Sequence, residues 1–143
     1  MPLIARWPAR VPRGRVSPQV GITMDLTATI LSVAGAAVPV EARFDGRDLL
    51  PQLANGAPPV ERTLFFRNVM PARAQRTVRQ GDWKLVVDGP NTMVFDLKRD
   101  VGERYDLARE RQDVARRLRP LLAAWEADVD ADAKRRTSAA APR

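Results

Sequence analysis

Two glycine-centred turns set among short alternating segments constrain this chain more than any other feature. Within residues 76–107, RTVRQGDWKLVVDGPNTMVFDLKRDVGERYDL, Gln80-Gly81 and Asp88-Gly89 each interrupt a strand-like run. Glycine accepts positive φ without steric penalty, which a two-residue hairpin loop requires. Segments 63–67, 75–79, 83–88 and 93–97 are each about one strand long. Alternation places Trp83, Leu85 and Val87 on one side of a strand and Lys84 and Asp88 on the other. The expected product is a small antiparallel meander with one apolar face.

That face needs a cover. Val114, Leu118, Leu121, Leu122, Trp125 and Val129 recur at helical spacing, forming one stripe on a helix that starts near Asp113. Pro120 falls inside it and lacks the N–H an interior position donates, so a bend is expected there. From Ala131 small and charged residues dominate, and residues 131–143 read as a disordered tail.

Upstream, residues 2–7 read as a short apolar strand that Pro8 ends, followed by a Pro/Gly loop over 9–15. A helix follows, with Thr23 as its cap, Asp25 suiting its positive first turn, and Leu26, Ile30, Val33 and Ala34 on one face. Gly35 stands where a left-handed C-terminal cap belongs. Phe44-Asp45-Gly46 reads as a turn, and Leu49, Leu50 and Leu53 mark a short helix ending near Asn55-Gly56. The Pro58-Pro59 break divides the chain into residues 1–55 and 56–130. Leu26, Ile30, Leu31, Leu64, Phe65, Trp83, Leu85, Phe95, Leu118 and Trp125 are the expected core. A chain of this length forms one domain or the last part of a larger one.

Composition narrows the chemistry. The chain has no cysteine and no histidine, which removes disulfides, thiolate nucleophiles, Cys-type zinc sites and the commonest general base. Net charge is +7, carried almost wholly by arginine, since Lys84, Lys98 and Lys134 are the only lysines. One reading is a basic module binding a polyanion. The other is a solvated mixed-charge surface, favoured because the arginines are interleaved with acids and aromatics are few. Nucleic acid is not an expected partner. No apolar run is long enough to span a bilayer, and MPLIARWPARVPRGR shows no export signal.

Six segments, in order, resemble the C-terminal part of the sulfatase family, the sulfate-ester hydrolases of the alkaline-phosphatase-like superfamily. Residues 2–8 look like the strand after the family's glycine-rich Arg-Val-Pro segment. Residues 21–35, GITMDLTATILSVAG, are similar to its D-x-x-P-T-x-L-x-x-A-G helix, matching at Asp25, Leu31, Ala34 and Gly35. FDGRDLLPQL over 44–53 looks like its D-G-x-S-L-x-P-x-L turn and helix, and 63–68, 76–85 and 94–107 follow. ERTLFFRN followed by RTVRQGDWKL is similar to the arylsulfatase and N-acetylgalactosamine-sulfatase type. Ala28, Arg47-Asp48 and Val101 depart from the pattern at positions that are not catalytic in the family.

The resemblance implies the tail end of an alkaline-phosphatase-like α/β domain followed by a small antiparallel sheet packed on a C-terminal helix. In the intact family it implies sulfuric ester hydrolysis by a formylglycine, made from Cys or Ser within Cys/Ser-x-Pro-x-Arg, with calcium on paired Asp-Asp and Asp-Asn or Asp-Gln ligands. Neither the motif nor the pairs occur here, and Ser17-Pro18 has the wrong spacing. The expectation is therefore no catalytic residue, no metal ligand and no cofactor in this chain, with a sulfate ester as substrate only of an intact enzyme. Intact relatives are often periplasmic or secreted. Arg67 and Asn68, after an apolar strand, are the candidates for reaching a substrate pocket. Lys84 reads as a solvated strand residue, Arg76 and Arg79 as edge charges, and Trp83 and Trp125 as core. Met1 stands where the family has Val before Pro, which suggests a reading frame opened inside a longer gene. Expected partners are a second copy of the chain or a separate catalytic half.

Overall fold

Asp25 organises the first part of the molecule. The computed structural model describes residues 3–37, 42, 44–71 and 73–140, and the chain divides into two compact units, Met1–Glu61 and Arg62–Arg143. In the first unit, helix α1 spans Thr23–Val33 and helix α2 spans Leu50–Ala54. The Asp25 side chain is fully buried and accepts the Ile22 N–H at 2.7 Å and the Arg47 N–H at 2.9 Å. It thereby ties the positive end of α1 to the loop before α2. Thr29 adds a second tie, donating to the Asp25 carbonyl at 2.7 Å and accepting the Leu49 N–H at 3.0 Å. Asp48 adds a third, between Ser32 Oγ at 2.6 Å and the Leu50 N–H at 2.8 Å. Only glycine fits at position 46, where a Cβ would sit 2.1 Å from the Met24 carbonyl oxygen. At the far end of α1, Gly35 has φ +62° while the Ala36 N–H returns to the Leu31 carbonyl at 3.0 Å, the left-handed cap expected from sequence.

Three expectations fail in this unit. Thr23 is not the cap; Ile22 holds that position with no side-chain bond of its own, and Asp25 reaches back instead. Residues 3–7 form no strand, and Leu3 and Ile4 are exposed. A strand exists only through a hydrogen-bonded neighbour, and the unit supplies none for this segment. Leu26 and Ile30, assigned to the core, are exposed as well. Among the described residues of the unit, Leu49 is the only buried apolar side chain, so no layer lies over the apolar side of α1.

The second unit is a four-stranded antiparallel meander in the order β1-β2-β3-β4, formed by Thr63–Met70, Arg73–Gln80, Trp83–Asp88 and Asn91–Asp96. Its tight loops are Gly81-Asp82 and Gly89-Pro90, each one residue later than the sequence suggests, because Gln80 pairs with Trp83 and Asp88 with Asn91. Both glycines keep the positive φ that motivated the expectation, +57° and +55°. Cross-strand partners share a face. Thus Phe65, Val78, Leu85 and Val94 lie in one row, and Arg67, Arg76, Val87 and Thr92 in the next.

Helix α3, Gln112–Ala140, covers that face. Val114, Leu118 and Leu122 pack with Val78, Leu85, Val87 and Val94, and Trp125 stacks on Phe65 with ring centroids 5.2 Å apart and planes 7° from parallel. Trp83 packs at the edge of this core beneath the Arg111 guanidinium, 4.2 Å from its ring centre. Leu64 and Phe95 are buried too, but their register with Arg79 and Lys84 puts them on the opposite face. Polar contacts from α3 to the strands flank the apolar stripe: Arg117 to Gln80, Arg119 to Thr92 at 2.6 Å and Glu126 to Arg76 at 3.7 Å.

The helix runs through Pro120 without ending, and through residues 131–140, where composition suggested loss of order. Alanines of high helix propensity and the pairs Asp132–Arg135 at 3.3 Å and Asp132–Arg136 at 2.7 Å favour the continuation. Residues 141–143 of the expected tail lie outside the described residues. No described helix is long and apolar enough to cross a membrane.

Candidate functional site

The two residues singled out from sequence do not converge. Arg67 and Asn68 are neighbours on β1, so their side chains leave opposite faces of the sheet. Arg67 lies in the row under α3, where it donates to Asp130 Oδ1 at 2.7 Å and lies 6.0 Å from the Trp125 ring centre. Its guanidinium therefore helps to hold the helix. Asn68 pairs in register with Gln75, and Gln75 with Asp88, which pairs with Asn91, so these four form a polar row near the end of the other face.

Beyond that row the sheet ends in an open groove of about 750 Å³, lined by residues of the β1–β2 and β3–β4 turns, including Met70, Arg73, Asp88, Pro90 and Asn91. Arg73 Nε donates to Asp88 Oδ1 at 2.8 Å and to Oδ2 at 3.0 Å, and its terminal nitrogen adds a further bond to Oδ2. Those hydrogen bonds hold the Asp88 carboxyl below its usual range and raise Arg73 above its own. The groove presents a fixed guanidinium–carboxylate pair, an amide at Asn91 and apolar walls. Among the described residues that line it there is no Ser, Thr, Cys, Lys or Tyr to act as a nucleophile.

A second polar cluster joins β3 to the segment between β4 and α3. Lys84 is not solvated as expected; its Nζ donates to both carboxylate oxygens of Glu103, at 2.6 and 2.7 Å. Glu103 is the one non-glycine residue with positive φ among the described residues, at 55°. The sharp turn falls on Glu103 and not on Gly102, where flexibility was expected. Asp100 Oδ2 accepts the Arg104 and Tyr105 N–H groups at 2.7 and 2.8 Å, and Asp106 Oδ1 accepts those of Val94 and Ala108 at 3.0 and 2.9 Å. The Leu107 N–H then donates to the Val94 carbonyl at 2.8 Å, fixing the segment to the edge of β4. Sequence reasoning missed the roles of Asp100, Glu103 and Asp106. Their close spacing after a Gly-containing loop was the available signal.

Arg76 and Arg79 are not edge charges, because β2 is an interior strand. Arg76 pairs with Glu126, and Arg79 Nε donates to the Gly81 carbonyl at 3.1 Å. At the start of α3, the Arg111 guanidinium holds the Asp113 carboxyl down at about 2, chiefly by hydrogen bonding. Arg67, Arg73, Arg76, Arg111, Arg135 and Arg136 are all paired to acids, so these guanidiniums do not form a free basic surface.

Among the described residues no group of three or more His, Cys, Asp or Glu side chains is placed to hold a metal ion. A calcium site of the kind the resemblance implies has no donor set in them, and a formylglycine cannot arise from Cys in a chain that lacks it.

No family model matches the chain. It is 49% identical over 65 residues to N-acetylgalactosamine-6-sulfatase of Canis lupus familiaris, an alignment covering 46% of this chain and 12% of the relative. With arylsulfatase G of the same species it shares 30% identity over a 154-residue alignment, covering 92% of this chain and 29% of the relative. The chain spans between 12% and 29% of the length of the curated relatives it matches. In structure it superposes on yidJ, a candidate sulfatase from Bacteroides fragilis, with a TM-score of 0.68 at 20% identity, covering 83% of this chain and 27% of the other. A likeness at that identity establishes the fold.

Proposed function

Because this chain carries a C-terminal region of the sulfatase family, we propose that it supplies scaffold to a sulfuric ester hydrolase and none of the chemistry. The observation that carries this reading is the combination of extended similarity with a chain that lacks the formylglycine motif and, among its described residues, any metal-ligating cluster. Sulfate-ester cleavage needs an activated nucleophile, a metal polarising the sulfate oxygens and an acid for the leaving group. The sequence has no Cys/Ser-x-Pro-x-Arg motif and no histidine. Surface arginines paired to carboxylates do not replace them, so the chain alone is inactive.

Within this reading, residues 1–55 are the remnant of the large α/β domain and residues 56–130 are the small sheet-and-helix subdomain. The second part borders the active site of an intact enzyme. Asn68, in the polar row by the groove, faces away from α3 and is open to such a role. Arg67 is tied to Asp130 and Trp125 and contributes by fixing α3. The remaining machinery comes from a catalytic body bearing the formylglycine motif, and the substrate is a sulfate ester bound there.

A chimaera tests this. With this chain replacing the matching stretch of dog arylsulfatase G, the expected product is a folded protein that turns over an aryl sulfate. A folded chimaera without turnover, beside an active parent, would contradict the scaffold reading.

A further inference from the structure

Of the three asparagines in the chain, one stands apart chemically. Asn68 lies in β1 and Asn91 in β4, each paired in a strand ladder and followed by a β-branched residue, Val69 or Thr92. Asn55 is exposed at the end of α2 and is followed by Gly56, exposed as well. A glycine leaves its own nitrogen sterically open to the side chain before it. The Asn55 and Ala57 N–H groups both donate to the Pro51 carbonyl at 3.1 Å, whereas the Gly56 N–H has no hydrogen bond among the described residues. The Arg15 guanidinium lies against Gly56, where a Cβ would stand 3.2 Å from a terminal nitrogen and 3.3 Å from Cζ. A cation at that place favours negative charge forming on the Gly56 nitrogen or on the carbonyl it attacks.

We propose that Asn55-Gly56 is a self-modifying site, deamidated through a succinimide with Arg15 supporting the developing charge. The Gly56 nitrogen gives its proton to a solvent base and bonds to Asn55 Cγ. The Cγ–Nδ2 bond then breaks, and the amide leaves as ammonia with a proton from water. Water opens the ring in either of two ways. Breaking the Cγ–N bond gives aspartate at 55; breaking the bond from nitrogen to the backbone carbonyl gives isoaspartate.

The end of α2 sets the pace. Asn55 has ψ −4°, which leaves its Cβ roughly a third of a turn from the Gly56 nitrogen about the Cα–C bond. Ring closure needs the two nearly in line, so this helix end has to open first. Two hydrogen bonds to Pro51 hold it, and a short exposed helix end opens at low cost. Isoaspartate does not re-form it. One more main-chain carbon before Gly56 displaces the left-handed turn, φ +73°, and the Ala57 bond to Pro51. Either product places a carboxylate beside Arg15.

The test is incubation of the full chain in warm, mildly alkaline buffer, read by peptide mass spectrometry that separates aspartyl from isoaspartyl forms. Asn55 is expected to convert at least about tenfold faster than Asn68 or Asn91. Urea speeds it about tenfold further by removing the helix end. Arg15→Gln slows the native reaction about fivefold and has no effect in urea, where nothing positions the guanidinium. Asn55→Gln cannot close the same ring and stays unmodified. An Asn55 that converts in urea but not in the native chain overturns the site. Equal rates with and without urea overturn the control by α2, and an Arg15→Gln chain converting natively at the parent rate overturns the part of Arg15. Conversion of the same peptide in Asn55→Gln assigns the signal to Gln52 and overturns the site as well.

Discussion

Glu103 sets two opposing effects against each other, and substitution separates them. Its backbone is left-handed, which costs a residue with a Cβ about 1–2 kcal/mol, a cost glycine does not bear. Its carboxylate is held by Lys84, with side-chain exposures of 23% for the lysine and 34% for the glutamate. A pair this exposed is screened by solvent, and about 1 kcal/mol is the appropriate scale. Glu103→Ala keeps the backbone cost and loses the pair, so it destabilises by about 1 kcal/mol. Glu103→Gly loses the pair and removes the backbone cost, leaving a net change near zero after the greater flexibility of unfolded glycine is included. The glycine variant therefore exceeds the alanine variant by about 1 kcal/mol, or roughly 4–8 °C in Tm for a domain of this size. Urea unfolding followed by tryptophan fluorescence reads the difference, since Trp83 and Trp125 both pack against the core of this unit. Lys84→Met added to Glu103→Ala completes a double-mutant cycle with a coupling of the same ~1 kcal/mol. Equal stability of the alanine and glycine variants would refute the backbone argument. A cycle with no coupling would refute the ion-pair argument.

Further predictions concern the core and the polar ties. Leu118 is fully buried between α3 and the sheet, so Leu118→Ala costs about 3–5 kcal/mol in a urea titration. Asp25→Ala strips the acceptor from the Ile22 and Arg47 N–H groups and costs about 2–4 kcal/mol, seen as faster amide exchange through α1. Asp113 titrates at about 2 in a carboxylate-resolved NMR experiment, its proton repelled chiefly by the Arg111 hydrogen bond. Because its folded value is lowered, the pair's contribution is complete above the ordinary carboxylate value near 4 and is lost as pH falls through about 2. Arg111→Gln returns Asp113 to the ordinary range.

The second unit was legible because its signals are local. Period-two alternation through Trp83, Leu85 and Val87 and the helical stripe from Val114 to Trp125 identified the two faces that meet. The turn positions slipped by one residue because a Gly-containing dipeptide marks a turn but cross-strand pairing fixes its register, as the Gln80–Trp83 pair shows. Lys84 could not be read from its strand, since its partner Glu103 lies 19 residues away on a segment shaped by Asp100 and Asp106. Arg67 and Asn68 are singled out in the sequence because they follow an apolar strand, and as neighbours on β1 they send their side chains to opposite faces. In the first unit the apolar stripe of α1 was read correctly as a face, and its burial was wrongly assumed. Residues 3–7 show the same limit, because a strand is a property of a pair and the sequence displays one member.

The claim at the centre of this account is that a well-formed sulfatase-family region carries no hydrolytic machinery of its own. The direct measurement is sulfate release from an aryl sulfate by the purified chain, with calcium varied from chelated to saturating. The account predicts release no faster than in buffer at every calcium concentration. Saturable, calcium-dependent turnover by the chain alone would contradict it.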